Sequence, residues 1–473
     1  MRLVAGLDVG TTGCKVTVFT TAGERLGREY RDYPVKRAAD SQEVDASALA
    51  ESVLDCVKSA AARFGKIEAM GVASFGEAFV LVDAAGKPLR PIILCTDPRG
   101  ARECAELSSR LGAEKIAAAS GVKPHSMYSL PKLLWIKAHE PETFAKAKYA
   151  MLVEDYVIWL LTGERVIDYS LATRTMAFDI RSLAWSEEIF SAAGVDSAMF
   201  SRPVPVGTVA GETADGIKIV AAGHDQVAAA IGAGAFEPGT AVDGAGTVEC
   251  ITPVYAEVPS GTLFQENNYC VVPYFGNYVA YAYSYTGGAL LQWCAGKLLG
   301  RDHKDLQSGE RKGPTGILVL PHFAGAATPY MDTGSKGAIV GLTLATGPED
   351  VYVACMEGVA YEMRVNMEYL AASGVRFGRL VATGGGAKSP LWMQIKADVL
   401  AVPIDTLETE DAGTVGSAML CSVAIGAYGG LEEAKSAFVR VTGSYAPDMA
   451  RHAEYDKVYR RFEKLYKAVR PLT

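Results

Sequence analysis

Asp8 and Lys15 bracket the turn Gly10-Thr11-Thr12-Gly13, and residues of these types at this spacing can grip an anion. Successive backbone N–H groups in a glycine-threonine turn converge on one point, the hydroxyls add donors, and the ammonium adds charge. Gly10, Thr11, Thr12 and Lys15 are therefore candidate phosphate ligands. A carboxylate beside a polyphosphate repels it unless a cation lies between, so Asp8 is a candidate ligand, through water, of Mg2+. An ordinary surface hairpin fits the same spacing, and the hairpin alone leaves the two readings even. A second aspartate, Asp225, follows an apolar run at 217–221 and the glycine of Gly223-His224. It opens onto a helix of small residues, where a carboxylate can take a proton, hold a hydroxyl, or simply cap the helix. Glu77 closes the polar loop Ser74-Phe75-Gly76-Glu77 and suits a ligand hydroxyl; a solvated turn explains it as well. Asp97 and Arg99, in Thr96-Asp97-Pro98-Arg99, are candidates for binding or for a local salt bridge.

Alternating β-branched residues on both sides of the first turn predict a strand pair over 3–19. Leu49, Val53, Leu54 and Val57 recur at helical spacing and predict a buried stripe on a helix at 46–64. Residues 67–73 read as a buried strand with 78–83 as its hairpin partner, and 101–119 as one helix. Residues 129–136 enter another helix, with Trp135 in the core. A helix at 154–161 stops at Thr162-Gly163, and a Pro-rich stretch at 181–216 precedes the strand at 217–221 and a helix at 227–234.

A boundary is expected near Glu237-Pro238-Gly239. Directly after it, residues 240–251 repeat the opening pattern of strand, Asp243, Gly246, Thr247, strand, which predicts a structural duplication. Glu249 stands where the echo should carry a cation, so only the first hairpin is expected to supply a lysine. The second half continues with strands over 268–283, a helix at 287–299, a long helix at 348–372 and a strand at 379–383. That strand runs into Gly384-Gly385-Gly386-Ala387-Lys388-Ser389, a turn poor enough in side chains for a phosphate or flat ligand to rest on its backbone. Residues 410–416 lead into a small-residue helix at 417–424, and Tyr455, Tyr459, Phe462 and Tyr466 form a packing stripe.

A chain of 473 residues exceeds what one core usually supports, so two domains are expected, 1–237 and 238–473, with a cleft between them. The net charge of −8 disfavours nucleic acid or an anionic membrane as a general partner. No apolar run reaches the 18 or so residues that span a bilayer, and Asp8 interrupts any signal-peptide core, which predicts a cytoplasmic protein. The nine cysteines are scattered, with no Cys-x-x-Cys, and are expected to be reduced. Neither a P-loop nor Gly-x-Gly-x-x-Gly occurs.

Taken together these stretches resemble the FGGY carbohydrate kinases over essentially the whole chain. The signature-like segments are Met127-Tyr128-Ser129-Leu130-Pro131-Lys132-Leu133-Leu134-Trp135-Ile136 and residues 337–341 running on to Glu357. The resemblance implies an α/β fold of two actin-like, ribonuclease H-like domains, with ATP and sugar meeting in the interdomain cleft. It assigns Asp8 to Lys15 as the first phosphate motif, Gly246-Thr247 as the second, and Gly384, Gly385, Gly386 and Ala387, with 413–416, as the adenosine region. It assigns Asp225 as general base, taking the proton of the attacking hydroxyl, and groups Gln226 with Glu77, Asp97 and Asp225 on the sugar side.

Departures bear on the substrate. Xylulokinases commonly carry Met-His-Gly where this chain has Ser74-Phe75-Gly76, and glycerol kinases place an arginine at Gly76. Glu77 and Asp97 suit an uncharged polyhydroxylated ligand, so an open-chain ketopentose such as xylulose or ribulose is expected, with a polyol as the nearest rival. A non-enzymatic actin-like nucleotide switch is the reading from a different class. The expected partners are thus ATP and a small sugar, and the oligomeric state, a homodimer included, stays open.

Overall fold

The computed structural model describes residues 2–38, 40–307, 313–409 and 411–473. The chain forms two compact units that exchange segments: the first comprises Met1–Gly234, Cys270–Tyr278 and Asp411–Val439, the second Ala235–Tyr269, Val279–Glu410 and Arg440–Thr473. The expected division into consecutive halves at 237/238 does not anticipate this exchange.

In the first unit one mixed sheet runs, in order, Val209–Glu212, Lys218–His224, Ile67–Ser74, Leu3–Val9, Gly13–Thr20 and Arg25–Asp32. Leu3–Val9 lies parallel to Ile67–Ser74, which lies parallel to Lys218–His224. In this register Asp8 is level with Ala73, and Ala73 with Gly223. The carboxyl ends of three neighbouring strands thus present Asp8, the Ser74–Glu77 loop and Asp225 along one edge, the usual place for ligands in open α/β sheets.

One face is covered by the helix Ala46–Phe64, which buries Leu49, Val53, Cys56 and Val57. Leu54, expected in that stripe, is 42% exposed, because its angular position faces outward from the row that packs. The other face is flattened by Gly6 and Gly71, where added Cβ atoms would collide with Thr414 and Ser417 of the helix Ala412–Ala424. Glu410, where the expected turn into this helix opens, lies outside the described residues.

Two further expectations are corrected. Phe79–Val82 is not the hairpin partner of Ile67–Ser74; it pairs antiparallel with Tyr149–Leu152, since the intervening loop leaves the sheet. The helix expected over 101–119 is two, Ala101–Leu111 and Ala113–Ser120, divided at Gly112, whose φ of 96° breaks the helical backbone.

The second unit repeats the plan. Its hairpin, Thr240–Ala245 with Glu249–Tyr255, lies parallel to Arg379–Thr383, then parallel to Ile404–Leu407, then antiparallel to Val441–Tyr445. Ala282–Ser284 flanks the hairpin's second strand as Arg25–Asp32 does in the first unit. The duplication predicted from two short hairpins therefore extends to the strands beside each hairpin, although the sheets have six and eight strands. The long helix is Pro348–Ala372. Tyr455, Tyr459 and Phe462 are buried as one stripe, while Tyr466 sits on the next helix and donates to Asp332. Among the described residues no helix is long and apolar enough to cross a membrane, and none of the nine cysteines is in a disulfide.

Candidate functional site

In the first unit the turn after Leu3–Val9 closes on itself. The N–H of Gly10 donates to Gly13 O at 2.9 Å, and the Tyr33 hydroxyl donates to Gly10 O. Gly10 is therefore not a free donor as expected; its N–H is spent shaping the turn. Thr11 and Thr12 make no hydrogen bond through N–H or hydroxyl to any described residue, which leaves them open to an anion.

Lys15 lies directly across the ladder from Asp8, with Nζ 3.1 Å from Asp8 Oδ2 and 3.0 Å from Asp411 Oδ1. Burial pushes the Lys15 ammonium down, but Asp8 and Asp411 outweigh it and leave its pKa above the ordinary value. Burial raises Asp8 to about 6 against the pull of Lys15, with the charges of Asp225 and Asp411 adding to the rise.

Asp225 is the first residue of the helix Asp225–Gly232, and the cap is its neighbour: His224 Nδ1 accepts the N–H of Gln226. Burial also lowers the pKa of His224 to about 3, so the ring is neutral. Its Nδ1 lies 3.1 Å from Asp225 Oδ1. That nitrogen already accepts a proton from Gln226 and has none to give, so the close approach is not a salt bridge. Asp225 Oδ1 accordingly has no hydrogen-bond partner, although the side chain as a whole is 37% exposed. Burial raises this carboxyl to about 6, with the Gln226 N–H opposing and the charge of Glu77 adding. Such a group is ionised at neutral pH and basic enough to take a proton, the combination a general base needs.

The backbone before Asp225 is held by groups the sequence reading missed. Gly223 takes a φ of 84°, and a Cβ there would meet Ser170 Oγ and the Asp168 carboxyl. Glu154 accepts the N–H groups of Gly223 at 2.7 Å and Asp168 at 3.0 Å, and Ser170 Oγ accepts that of His224 at 2.9 Å. These contacts span elements far apart in the chain, and no local spacing signals them.

Glu77 is no solvated turn residue. Its side chain is buried, its φ is 65°, and Oε1 accepts both bonds from Arg174, Nε at 2.6 Å among them. Among the described residues none donates to Oε2, so one acceptor remains. Arg174 also lies over the Tyr128 ring. Of the two readings of Asp97, the local salt bridge is the one observed: Oδ1 accepts from Arg99 N and Nε, and Oδ2 from Arg99 Nη2 and Gln42 N. With its side chain fully enclosed, the hydroxyls it was expected to bind are replaced by protein donors. Trp135 is half-buried rather than core, stacked on His139 with Arg99 over its ring.

In the second unit, Gly246 repeats the behaviour of Gly10, donating to Gly244 O at 3.0 Å and Val248 O at 3.1 Å. Thr247 N–H and hydroxyl stay unbonded among the described residues. A cavity of about 960 Å³ opens beside this turn, lined by Gly246, Thr247, Gly385, Gly386, Tyr352 and Trp392 among others. That volume suits a nucleoside. Gly384, with φ 87°, makes the turn, and Ala387 donates its N–H to Gly384 O at 3.2 Å; these two shape the wall without lining it.

The cation missing from the second hairpin comes from elsewhere. Lys396, on Pro390–Leu400, reaches Asp243 Oδ2 at 2.8 Å and Glu249 Oε1, all three side chains at most 1% exposed. Burial and the neighbouring Asp243 raise Glu249 well above the carboxylate range. One lysine thus meets two buried carboxyls.

Residues 3–232 match the N-terminal domain of the FGGY family of carbohydrate kinases, and residues 265–425 the C-terminal domain. Glycerol kinase of Symbiobacterium thermophilum is 32% identical over 450 residues, 89% of this chain and 90% of its own. Xylulose kinase of Escherichia coli is 28% identical over 491 residues, 99% of each. A crystal structure of a xyloylose kinase from Brucella ovis superposes with a TM-score of 0.91 at 26% identity, covering all of both chains.

Proposed function

The chain belongs to the FGGY family of carbohydrate kinases, enzymes that phosphorylate sugars with ATP, and we propose that its sugar is an open-chain ketopentose of the xylulose or ribulose type. Asp225 carries the mechanistic reading: it is a carboxylate with an inward oxygen that no protein donor meets, on the same strand-end edge as Glu77 and Asp8. In this reading Asp225 takes the proton of the sugar hydroxyl as that oxygen attacks the γ-phosphorus. The P–O bond to ADP breaks as the new one forms, and most of the rate comes from alignment and charge neutralisation. Thr11, Thr12 and Lys15 receive phosphate oxygens, while Gly246, Thr247, Gly385 and Gly386 receive the rest of the nucleotide. Glu77 Oε2 accepts a sugar hydroxyl, and Gln226 adds an amide beside the base. Asp97 serves by holding Arg99.

A hydrated Mg2+ fits the donors present. Asp8 is a half-enclosed carboxylate raised in pKa by burial, with neighbouring anions adding, and Asp225 Oδ1 is an orphaned acceptor. Asp8 would hold the ion through water, and the ion would supply neutralisation of phosphate charge. We place the protein in the cytoplasm, where ATP is abundant and free thiols persist.

The ketopentose choice is supported by the full-length similarity to xylulose kinases and by the Glu77–Arg174 pair, which is neutral overall and offers an uncharged polyol chain hydrogen bonds. A carboxylated or phosphorylated sugar would call for surplus positive charge there. A polyol kinase is the second reading, favoured by the similarity to glycerol kinase. The family excludes the non-enzymatic nucleotide switch. A coupled ADP-release assay over ketopentoses, polyols and aldonates tests the choice. The expected result is a kcat/KM for one ketopentose at least about tenfold above the others, and a preference for glycerol would replace this reading with the second. In the same assay kcat/KM should fall on the acid side with an apparent pKa near 6, because Asp225 works only when ionised and is raised to about 6. A limb near pH 4 would contradict the assignment of Asp225 as base.

A further inference from the structure

Lys15 is anchored from two directions, and only one of them belongs to its own hairpin. Asp8 faces it across the ladder at 3.1 Å, whereas Asp411, at 3.0 Å, arrives from the segment that returns to the first unit late in the chain. Asp411 immediately precedes the helix Ala412–Ala424, and the opening turns of that helix rest on bare backbone. A Cβ at Gly6 would collide with Thr414 O, one at Gly232 with Ala412 O, and one at Gly416 with Ala228 O. Glycine is required at these crossings because the backbones touch. Asp411 is thereby fixed against both the strand that carries Asp8 and the helix that begins at Asp225.

We propose that Asp411 is a positioning residue for phosphoryl transfer, holding the Lys15 ammonium so that its remaining N–H is aimed at the phosphates of ATP. A lysine stem is flexible, and one carboxylate confines its ammonium only to a sphere around that anion. Two carboxylates on fixed backbones define a direction. They also share the ammonium, so Asp8 is not fully neutralised by it and keeps acceptor capacity of its own. Asp411 touches neither ATP nor sugar in this account and acts entirely through Lys15. The inference rests on the reading of Lys15 as a phosphate ligand.

A double-mutant cycle tests it, with ATP and sugar kinetics measured for Asp411→Ala, Lys15→Met and the double variant, and thermal unfolding of each to verify folding. Asp411→Ala is expected to lower kcat/KM for ATP about tenfold with the sugar KM unchanged, and Lys15→Met about a hundredfold. In the Lys15→Met background, Asp411→Ala should change it by less than about twofold, because the partner through which it acts is gone. The isosteric Asp411→Asn, which preserves the fold if alanine does not, should fall between wild type and alanine. A tenfold loss from Asp411→Ala in both backgrounds, or no loss in either, overturns the proposal. Unchanged ATP kinetics in Lys15→Met instead overturns the phosphate reading of Lys15 on which it stands.

Discussion

Asp225→Asn lowers kcat for sugar phosphorylation by about 10³-fold, the range over which a positioned general base contributes, while the folded protein still binds ATP and sugar. The amide keeps the shape of the carboxylate and cannot accept the proton. The same substitution should make the protein more stable, and this second readout separates loss of chemistry from loss of fold. The sign follows from the raised pKa. A carboxyl held at about 6 in the folded chain and near 3.8 when unfolded binds its proton more tightly folded. Its contribution to stability is most favourable at acid pH, falls as pH rises from about 4 to 6, and is an unfavourable constant above that. Since one side of the group faces water, removing the charge is worth about 1 kcal/mol at neutral pH rather than the full pKa difference. Thermal unfolding at pH 7.5, with single-turnover kinetics alongside, checks both parts. Near-normal turnover in the variant would refute the role of Asp225, and a destabilised variant would refute its electrostatic description.

The second large effect is on stability and lies in the other unit. Lys396→Met removes the one cation between Asp243 and Glu249, all three of which are enclosed. Breaking a buried ion cluster from one side leaves uncompensated charge, at a cost of about 3–5 kcal/mol. For a chain of this size the melting temperature should drop by roughly 3–5 °C. Lys396 also packs on the Trp392 ring, and Trp392 walls the cavity beside Thr247, so on the proposed reading of that cavity ADP binding should weaken in the same variant. Replacing all three groups with neutral counterparts, Lys396→Met with Asp243→Asn and Glu249→Gln, should recover most of the stability, because no charge is then stranded. A single Lys396→Met variant that melts with wild type would show that the cluster carries no such load.

The legible parts of this molecule were those encoded over short stretches. The opening hairpin, the helix Ala46–Phe64 and the strand Arg379–Thr383 could be read because β-branched alternation, helical spacing and glycine turns act within a dozen residues. The place of Asp225 at the end of a strand was legible for the same reason, although the cap proved to be His224. Illegible were the partners that reach a site from a distance. Nothing around Glu249 announces Lys396, and nothing around Lys15 announces Asp411, since each meeting is made by tertiary packing. At Asp97 residue type and loop position suit either a sugar hydroxyl or a local salt bridge, and the structure shows the salt bridge, with Arg99, two residues on, on both oxygens. Gly10, a phosphate donor by the residue types of its turn, and Gly246, one by family resemblance, instead spend their N–H groups closing the turns, and Thr11, Thr12 and Thr247 keep theirs unbonded among the described residues.

The central claim is that phosphoryl passes from ATP to a sugar oxygen and not to water. Phosphorus NMR of the enzyme incubated with ATP, Mg2+ and xylulose tests it most directly. The account predicts a new phosphomonoester signal growing in step with ADP, absent when xylulose is omitted and absent with Asp225→Asn over the same interval. Growth of inorganic phosphate instead, at a rate that neither xylulose nor any other sugar alters, would contradict it.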